Sequence, residues 1–438
     1  MAMVVKNNMP AKNTLNQLDK NDKALAKSLK KVASGMRING AGDDASGYAI
    51  SERMDTQLRS LEQDNANAQN GNSLLKTAEG AIASTVDILK TLKEKAINAA
   101  NDTNTDADRA IMQKEFDQAI DQIDDNANTT FNGIRLVDGS HNHQVLAPGT
   151  YTSLSNDNLY EGTAFNDPLT SLRDHDGNSL DIEATDKMKI SYVKKGETYS
   201  KTVEVGGLSL SRIFGNMTGI GTGDIALRAP IDNTVGTDEF GETVTTASGR
   251  AAITFEAQEP GVEGQIAGLS ISFVDKYGNA KRKADAVFNN FTETVRAQDS
   301  SEDNAIVLQV GTKANQSIKA SFSDMRSTAL GLKSQDGKTL SIGTQVNANA
   351  AISVLDNALQ KALDLQTTVG SVGSRLEYTS ANLVTSSENT QASESVIRDA
   401  NMAQEMTAYT KNNVLTQAAQ SMLAQANQSS SSVLSLLQ

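Results

Sequence analysis

Few side chains in this chain of 438 residues could carry acid–base or metal chemistry. There are only three histidines, His141, His143 and His175, and there is no cysteine. The spacing of His141 and His143 would put two imidazoles on one side of an extended segment, where they could hold a metal ion. The same two residues also suit a polar turn after the turn-forming residues 137–139, which is the interpretation we favour. The zinc-peptidase motif H-E-x-x-H is absent from the sequence.

Three further patterns resemble binding motifs but lack essential parts. The glycine-rich residues 219–223 lack the strand–turn–helix pattern of a dinucleotide site, and we interpret them as a loop. Residues 174–177 lack the later glutamate of a calcium loop. The paired acids Asp43 and Asp44 are of a kind common at helix ends and surfaces. No Ser/His/Asp set is credible, so we predict a protein that is not an enzyme and that uses no cofactor or metal.

Charge and composition narrow the classes of partner. The formal net charge is −13, which argues against nucleic acid as a partner. Residues 1–40 hold eight Lys and Arg against two Asp, so this segment is basic and the remainder is more acidic than the whole. Because its lysines alternate with leucines, we interpret it as a helical contact face with a solvated side.

Neither a membrane-spanning segment nor a cleavable signal is evident. No stretch reaches the roughly 18 apolar residues that a membrane-spanning helix needs, and residues 1–10 lack an apolar signal core. We therefore expect no membrane insertion. We expect either a cytosolic protein or one that is exported by a route without such a peptide.

The chain reads as helices, then strands, then helices. Helical periodicity runs from about residue 14 to 126 and resumes at Ile352. Between about 140 and 300 the pattern changes to alternating apolar residues with turns, at 188–205 and again at 269–279, which indicates two β-hairpins. We therefore predict an α+β fold, mainly α, in which the N- and C-terminal helical segments pair as a long antiparallel bundle or coiled coil around an inserted β-rich domain.

The C-terminal segment indicates a partner. Residues 412–438 contain no Asp, Glu, Lys or Arg, yet Leu415, Ala419, Met422 and Ala426 keep helical spacing. A solitary surface helix normally carries a charged outer face. A helix without one is suited to being covered on most sides, so the sequence predicts self-association.

Several motifs, in a fixed order, resemble those of bacterial flagellins. Residues 33–53 read ASGMRINGAGDDASGYAISER, and residues 131–139 contain FNG followed by LVDG. Residues 308–332 resemble the family's hairpin segment, and residues 375–377 and 397–428 (RLE, and IRDANMAQEM to LAQANQ) match its C-terminal half. Residues 141–304 match no pattern that we can name.

This resemblance implies a filament subunit with three regions. Residues 1–44 and 396–438 would form an inner coiled-coil layer. Residues 45–140 and 305–395 would form a helical rod with a hairpin, and residues 141–304 a variable outer domain. The implied partners are other copies of the chain, an export chaperone and the type III export apparatus, and hook-associated proteins with the filament cap. The implied location is the extracellular flagellar filament.

The resemblance also implies contact residues. We expect a filament-assembly interface on both terminal segments and at the bend between them: Leu25, Leu29, Val32, Arg37, Asn39, Asp43, Asp44, Leu415, Met422 and Leu434. A second surface, in residues 89–96, resembles the helix by which many flagellins are sensed by a Toll-like receptor. Its candidate residues are Leu89, Thr91, Glu94, Lys95 and Glu115. Because Thr91 replaces an Arg of the family pattern and Lys95 replaces a Leu, we expect only weak receptor activation.

Two other functions stay open at this point. A hook–filament junction protein shares the terminal architecture but does not polymerise at length. A secreted adhesin-like protein would work through residues 141–304, which predicts binding by that segment alone.

Overall fold

The computed structural model describes residues 8–214 and 224–436. These residues pack as two units. The first consists of the residues up to Ala68, Gln309–Gln316, and the residues from Tyr378 onward. The second consists of Gln69–Leu308 and Ser317–Glu377. The predicted mixed fold with helical ends and a strand-rich middle is confirmed, while the three predicted domain boundaries stay a prediction.

Long helices dominate both ends of the chain, and capping residues define where two of them begin. The helices are α1 (Met9–Ser34), α2 (Ala45–Ala99), α3 (Asp106–Ala127), α4 (Leu210–Phe214), α5 (Arg282–Phe288), α6 (Gln345–Arg398) and α7 (Met402–Leu436). The Asn8 side chain accepts the amide hydrogen of Ala11 at the start of α1. Thr105 and Asp108 form a reciprocal capping box at the start of α3.

Short strands occupy the middle of the chain. They are β1 (Thr130–Phe131), β2 (Ile134–Arg135), β3 (Val145–Thr150), β4 (Ser153–Asn156), β5 (Lys187–Lys194), β6 (Glu197–Glu204), β7 (Ile225–Leu227), β8 (Thr234–Thr237), β9 (Thr243–Thr245), β10 (Ile253–Ala257), β11 (Ile266–Val274), β12 (Thr292–Val295), β13 (Gln298–Ser301), β14 (Ile306–Gln309) and β15 (Ser317–Ala320). One sheet has the order β12-β4-β10-β7 and another the order β11-β5-β6. Strand pairs β1-β2, β3-β13, β8-β9 and β14-β15 complete the set.

The first predicted hairpin is confirmed. β5 and β6 pair antiparallel, with Tyr192 opposite Tyr199 and their rings stacked 5.4 Å apart. Lys195 and Gly196 both have positive φ and form the turn between the strands. Met188, Ile190 and Tyr192 point into the core, as their alternation predicted.

The second predicted hairpin is wrong in its return strand. After the turn at residues 275–279, a single bridge joins Val274 to Ala280, and the chain then enters α5. The Asp285 carboxylate accepts the amide hydrogen of Phe273, and the ring of Phe288 lies 5.2 Å from that of Phe273. As the helix α5, the segment after the turn buries Phe288 against the sheet, and this burial favours a helix there over a second hairpin strand.

The second unit contains a strand core and a helix core. The strand core clusters around large buried side chains such as Tyr192, Phe255, Phe273 and Phe288. Along α2, an apolar stripe of Ile82, Val86 and Leu89 is buried together with Leu92. Among the described residues, no helix has the length and apolar character to cross a membrane.

Candidate functional site

Four polar contacts set the antiparallel register of α1 and α7 in the first unit. Taken in order along α1, they join Asn8 to Ala426, Asn21 to Leu415, Ser28 to Asn412 and Lys31 to Glu405, at 3.1–3.3 Å. In two of them an Asn side chain donates to a backbone carbonyl oxygen of the facing helix. Because each contact needs one particular pair of positions, they specify register more than they add binding energy.

The seam between these helices has small and polar side chains at its most buried positions. Its buried members are Asn21, Ser28, Thr416 and Ala419, each no more than 8% exposed. The hydroxyl oxygen of Thr416 is buried and has no hydrogen-bond partner among the described residues. Such a seam buries little apolar surface, so α1 and α7 gain little hydrophobic stabilisation from one another.

Several large apolar side chains of the same two helices are exposed. Leu29 is 50% exposed, Leu415 is 41% exposed and Met422 is 61% exposed, while Leu25 and Val32 are half-buried. Other exposed apolar side chains on this pair are Met9, Leu15, Met402, Met406 and Val414. Leu434 falls within α7, but its side chain lies outside the described residues. An apolar exterior around a polar seam leaves surface that a further copy could cover.

The bend that follows α1 is held by backbone hydrogen bonds to the segment between α6 and α7. Gly35 ends α1 with φ +72°, a conformation that glycine adopts without strain. Its carbonyl oxygen accepts the amide hydrogen of Ala400, and the amide of Arg37 donates to Arg398 at 2.7 Å. Met36 and Asp399 form an isolated antiparallel bridge. Residues 35–37, which follow α1, are thus hydrogen-bonded to residues 398–400, which precede α7.

The four polar residues predicted at this bend all make contacts within the chain. Arg37 donates from its guanidinium to the carbonyl oxygen of Ile397 at 2.7 Å, and Asn39 donates to that of Met36. The carboxylate of Asp44 accepts the amide hydrogens of Ser46 and Gly47 and so caps α2. These bonds shape the bend, and a role for the same side chains between subunits stays a prediction.

Asp43 joins α1 to the bend. Its carboxylate pairs with Lys27 at 3.0 Å and accepts the amide hydrogen of Asn39 at 3.1 Å. The hydrogen bond from Lys27, followed by that from the Asn39 amide, holds the pKa of Asp43 below its ordinary value.

The candidate receptor-facing residues separate into buried and exposed members. Leu89 has no exposed surface and belongs to the apolar stripe of α2, and its place among the receptor-facing residues stays a prediction. Thr91 and Glu94 are exposed. Lys95 pairs with Glu115 at 2.7 Å, so two of the candidate residues bind each other. This pairing lets a Lys stand where the family pattern has an apolar Leu.

The two histidines predicted as a polar turn, His141 and His143, contact separate partners. Nδ1 of His141 lies 3.1 Å from the carbonyl oxygen of Asn304, and Nε2 of His143 lies 3.1 Å from the Glu239 carboxylate. The hydrogen bond to Glu239 raises the pKa of His143. His175 pairs with its neighbour Asp176. Within residues 8–214 and 224–436, no group of three or more metal-binding side chains converges. The glycine-rich residues 219–223 lie outside the described residues.

The polar seam was missed by sequence reasoning, although a signal for it exists. Asn21 and Ser28 are seven residues apart, and Asn412, Thr416 and Ala419 follow at spacings of four and three. These are the spacings of a helix-pairing seam, in which small and polar residues alternate with the half-buried Leu18, Leu25 and Val32.

Comparisons with known proteins agree with the motifs. Residues 5–142 match the bacterial flagellin N-terminal helical region, and residues 352–437 match the bacterial flagellin C-terminal helical region. A flagellin of Clostridium tyrobutyricum is 34% identical over 97% of this chain and 99% of its own length. A flagellin of Bacillus subtilis is 27% identical over 99% of this chain and 100% of its own. The solved FliC of Burkholderia pseudomallei is 18% identical and covers 70% of this chain and 99% of its own, but the TM-score of 0.26 is too low to support an argument.

Proposed function

This chain belongs to the bacterial flagellin family and is a structural subunit of the flagellar filament, and we propose that the α1–α7 pair is the surface through which its copies assemble. The observation that carries this proposal is that polar side chains are buried between α1 and α7, while Leu29, Leu415 and Met422 are exposed on the outside of the pair. Complete burial of a fully exposed side chain of this size contributes about 1.5–3 kcal/mol, and these three, already partly covered, have about half of that left to gain. Several per subunit, repeated along a filament, would favour assembly strongly.

Whether the copies form a ring or a filament depends on whether the contacting surfaces of successive copies are alike. Contacts between unlike surfaces of successive copies do not close into a ring unless the rotation fits, and otherwise continue as a helix. We assign residues 1–44 and 396–438 to the inner layer, 45–140 and 305–395 to the surrounding rod, and 141–304 to the outer domain. On this assignment Leu25, Val32 and Leu434 join the exposed residues at the inner interface, and Arg37, Asn39, Asp43 and Asp44 lie at its outer edge.

The remaining partners follow from the family. Delivery through the type III export apparatus with an export chaperone, contact with hook-associated proteins and the cap, and an extracellular place in the filament all belong to this proposal. The role is mechanical, and no catalytic step is part of it. Activation of a Toll-like receptor would be weak and would involve Thr91, Glu94 and the Lys95–Glu115 pair.

Seeded polymerisation tests the assembly surface. The intact chain is compared with a version ending at Thr410, and the products are examined by electron microscopy. We expect long filaments from the intact chain only, because the truncation removes most of α7. Thermal unfolding of both versions is the control: the second unit contains no residue of α7, so its transition should persist. Equal polymerisation by the truncated chain would refute the assignment.

A further inference from the structure

A buried lysine in the strand-rich part of the second unit lies between two carboxylates. Nζ of Lys194 is 2.7 Å from Oδ1 of Asp224 and 2.9 Å from Oε2 of Glu259. The other oxygen of Asp224 accepts a hydrogen bond from the Tyr192 hydroxyl at 3.0 Å. The side chain of Lys194 is 9% exposed, that of Asp224 is 17% exposed and that of Glu259 is 56% exposed.

Backbone pairing holds these groups in place from three directions. Lys194 ends β5 and is paired with Ile266 of β11. Asp224 directly precedes β7, and its carbonyl oxygen accepts the amide hydrogen of Gln258 at 3.0 Å. Glu259 lies in the turn after β10. This turn packs tightly on Gly264, where an added Cβ atom would lie 1.9 Å from the carbonyl oxygen of Glu259. The amine and the Asp224 carboxyl group therefore meet on a rigid frame.

This geometry is that of an amine placed against a carboxyl group before condensation. Burial lowers the pKa of the Lys194 ammonium, but the hydrogen bonds that it donates to Asp224 and Glu259 raise it by more. The resting state is thus an ion pair, and a proton must leave Nζ before the nitrogen can react. Glu259 contacts Nζ and is also open to water, so it can accept that proton. Reactive groups held at contact distance gain a large effective concentration.

We propose that Lys194 and Asp224 condense into an intramolecular amide bond, with Glu259 as the proton carrier. Glu259 carries a proton from the Lys194 ammonium to Oδ1 of Asp224, and the neutral Nζ then attacks Cγ of the neutral carboxyl group. The Tyr192 hydroxyl donates to the other carboxyl oxygen, on which negative charge develops. The hydroxyl group at Oδ1 then leaves as water, taking one proton from Nζ through Glu259. The nitrogen–carbon bond forms and one carbon–oxygen bond breaks, with no change of oxidation state.

The bond would give this chain a covalent staple that it cannot obtain otherwise. The chain has no cysteine, so disulfides are not available to it. The amide would join the end of β5 to the start of β7 and close the segment between them. A neighbouring ion pair, Lys195 with Glu263 at 2.8 Å, supplies a contrast because both side chains are about 40% exposed. Water solvates that amine and carboxylate, so this second pair stays ionic.

Intact mass spectrometry of the folded, full-length recombinant chain tests the proposal. We expect a mass lower than that of the sequence by one water molecule, and a branched peptide joining the segments around residues 194 and 224 after digestion. Lys194→Arg keeps the positive charge but removes the reactive amine, so its mass should equal that of its sequence. Glu259→Gln changes an exposed side chain and should slow bond formation. Lys195→Arg is the matched control and should retain the loss of water.

Two outcomes would overturn the proposal. One is a folded wild-type chain that keeps its full sequence mass after prolonged incubation. The other is a loss of water that persists in Lys194→Arg, which would place it elsewhere, such as at the Asp-Gly pairs 138–139, 176–177 or 336–337. The measurement is made on the monomer, so its failure is independent of whether the chain polymerises.

Discussion

The side-chain amide of Asn21 in α1 donates a hydrogen bond to the backbone carbonyl oxygen of Leu415 in α7 at 3.2 Å, while the side chain of Leu415 itself is 41% exposed. The contact places a polar group at the centre of the helix pair and an apolar group outside it. In an isolated coiled coil the opposite arrangement is stable. A pair built this way is weakly stabilised alone, and its exterior gains apolar burial when a neighbour covers it.

Met422 tests whether the apolar exterior drives assembly. Met422→Glu should leave the monomer's free energy of unfolding within about 0.5 kcal/mol, because the side chain is 61% exposed. It should raise the critical concentration for polymerisation at least about tenfold, because burying an unpaired carboxylate costs several times 1.4 kcal/mol. Sedimentation of polymer over a range of protein concentrations measures this. Met422→Leu keeps the apolar surface and should polymerise normally; if both variants assemble alike, Met422 lies outside the interface.

Two glycines of α2 should respond oppositely to alanine. At Gly47 an added Cβ would lie 2.5 Å from the Asp44 carboxylate and 2.7 Å from Cδ1 of Ile38, so Gly47→Ala should displace the Asp44 cap and destabilise the bend by about 0.5–2 kcal/mol. At Gly80 no atom lies within 4 Å, so Gly80→Ala should stabilise the helix by about 0.5–1 kcal/mol. Hydrogen exchange of α2 amides, together with thermal unfolding, separates the two effects. Similar shifts from both substitutions would contradict the packing at Gly47.

Glu293 should make the stability of the second unit depend on pH. Burial raises the pKa of its carboxyl group from 4.5 to about 7, against the opposing effect of Lys361 and Arg296. Between these pKa values the folded state binds the proton and the unfolded state does not. Stability should therefore fall as pH rises from about 4.5 to 7, by about 3 kcal/mol in total for this group.

Urea unfolding at pH 5 and pH 7.5 measures this dependence. Glu293→Gln should remove this group's share of the dependence, because the neutral amide resembles the protonated acid and does not titrate. The exposed Glu242 supplies the control, and Glu242→Gln should leave the pH dependence as it is in the wild type. A Glu293→Gln variant with the full wild-type slope would show that another group is responsible.

Receptor activation should rise when an arginine is restored on the exposed face of α2. Thr91 is exposed, and its hydroxyl donates only to the carbonyl oxygen of Asp87, so Thr91→Arg fits without disturbing the core. The planar guanidinium offers a bidentate contact that threonine lacks, worth about 1–3 kcal/mol at an interface. Reporter cells carrying the Toll-like receptor measure the dose response of the monomer. Lys90→Arg should leave that response unchanged, and strong stimulation by the unmodified monomer would contradict our expectation.

The sequence by itself determined the local features of this protein. Helical periodicity located α1, α2, α6 and α7, and alternation with a Lys195-Gly196 turn located the β5–β6 hairpin. These features depend on residues within one or two turns of each other, so the pattern is complete in the local sequence. The motifs in the terminal segments then indicated the family.

The tertiary structure decided which face of each element is covered and by what. Periodicity predicted that Leu29, Leu415 and Met422 share apolar faces, but only the packing shows that those faces point away from the α1–α7 seam. Leu89 belongs to the receptor-like motif, yet its side chain is fully buried. Contacts such as Asn21 with Leu415 join residues 394 positions apart. Which residues meet over such separations is set by the packing of whole elements, because no local pattern specifies the partner.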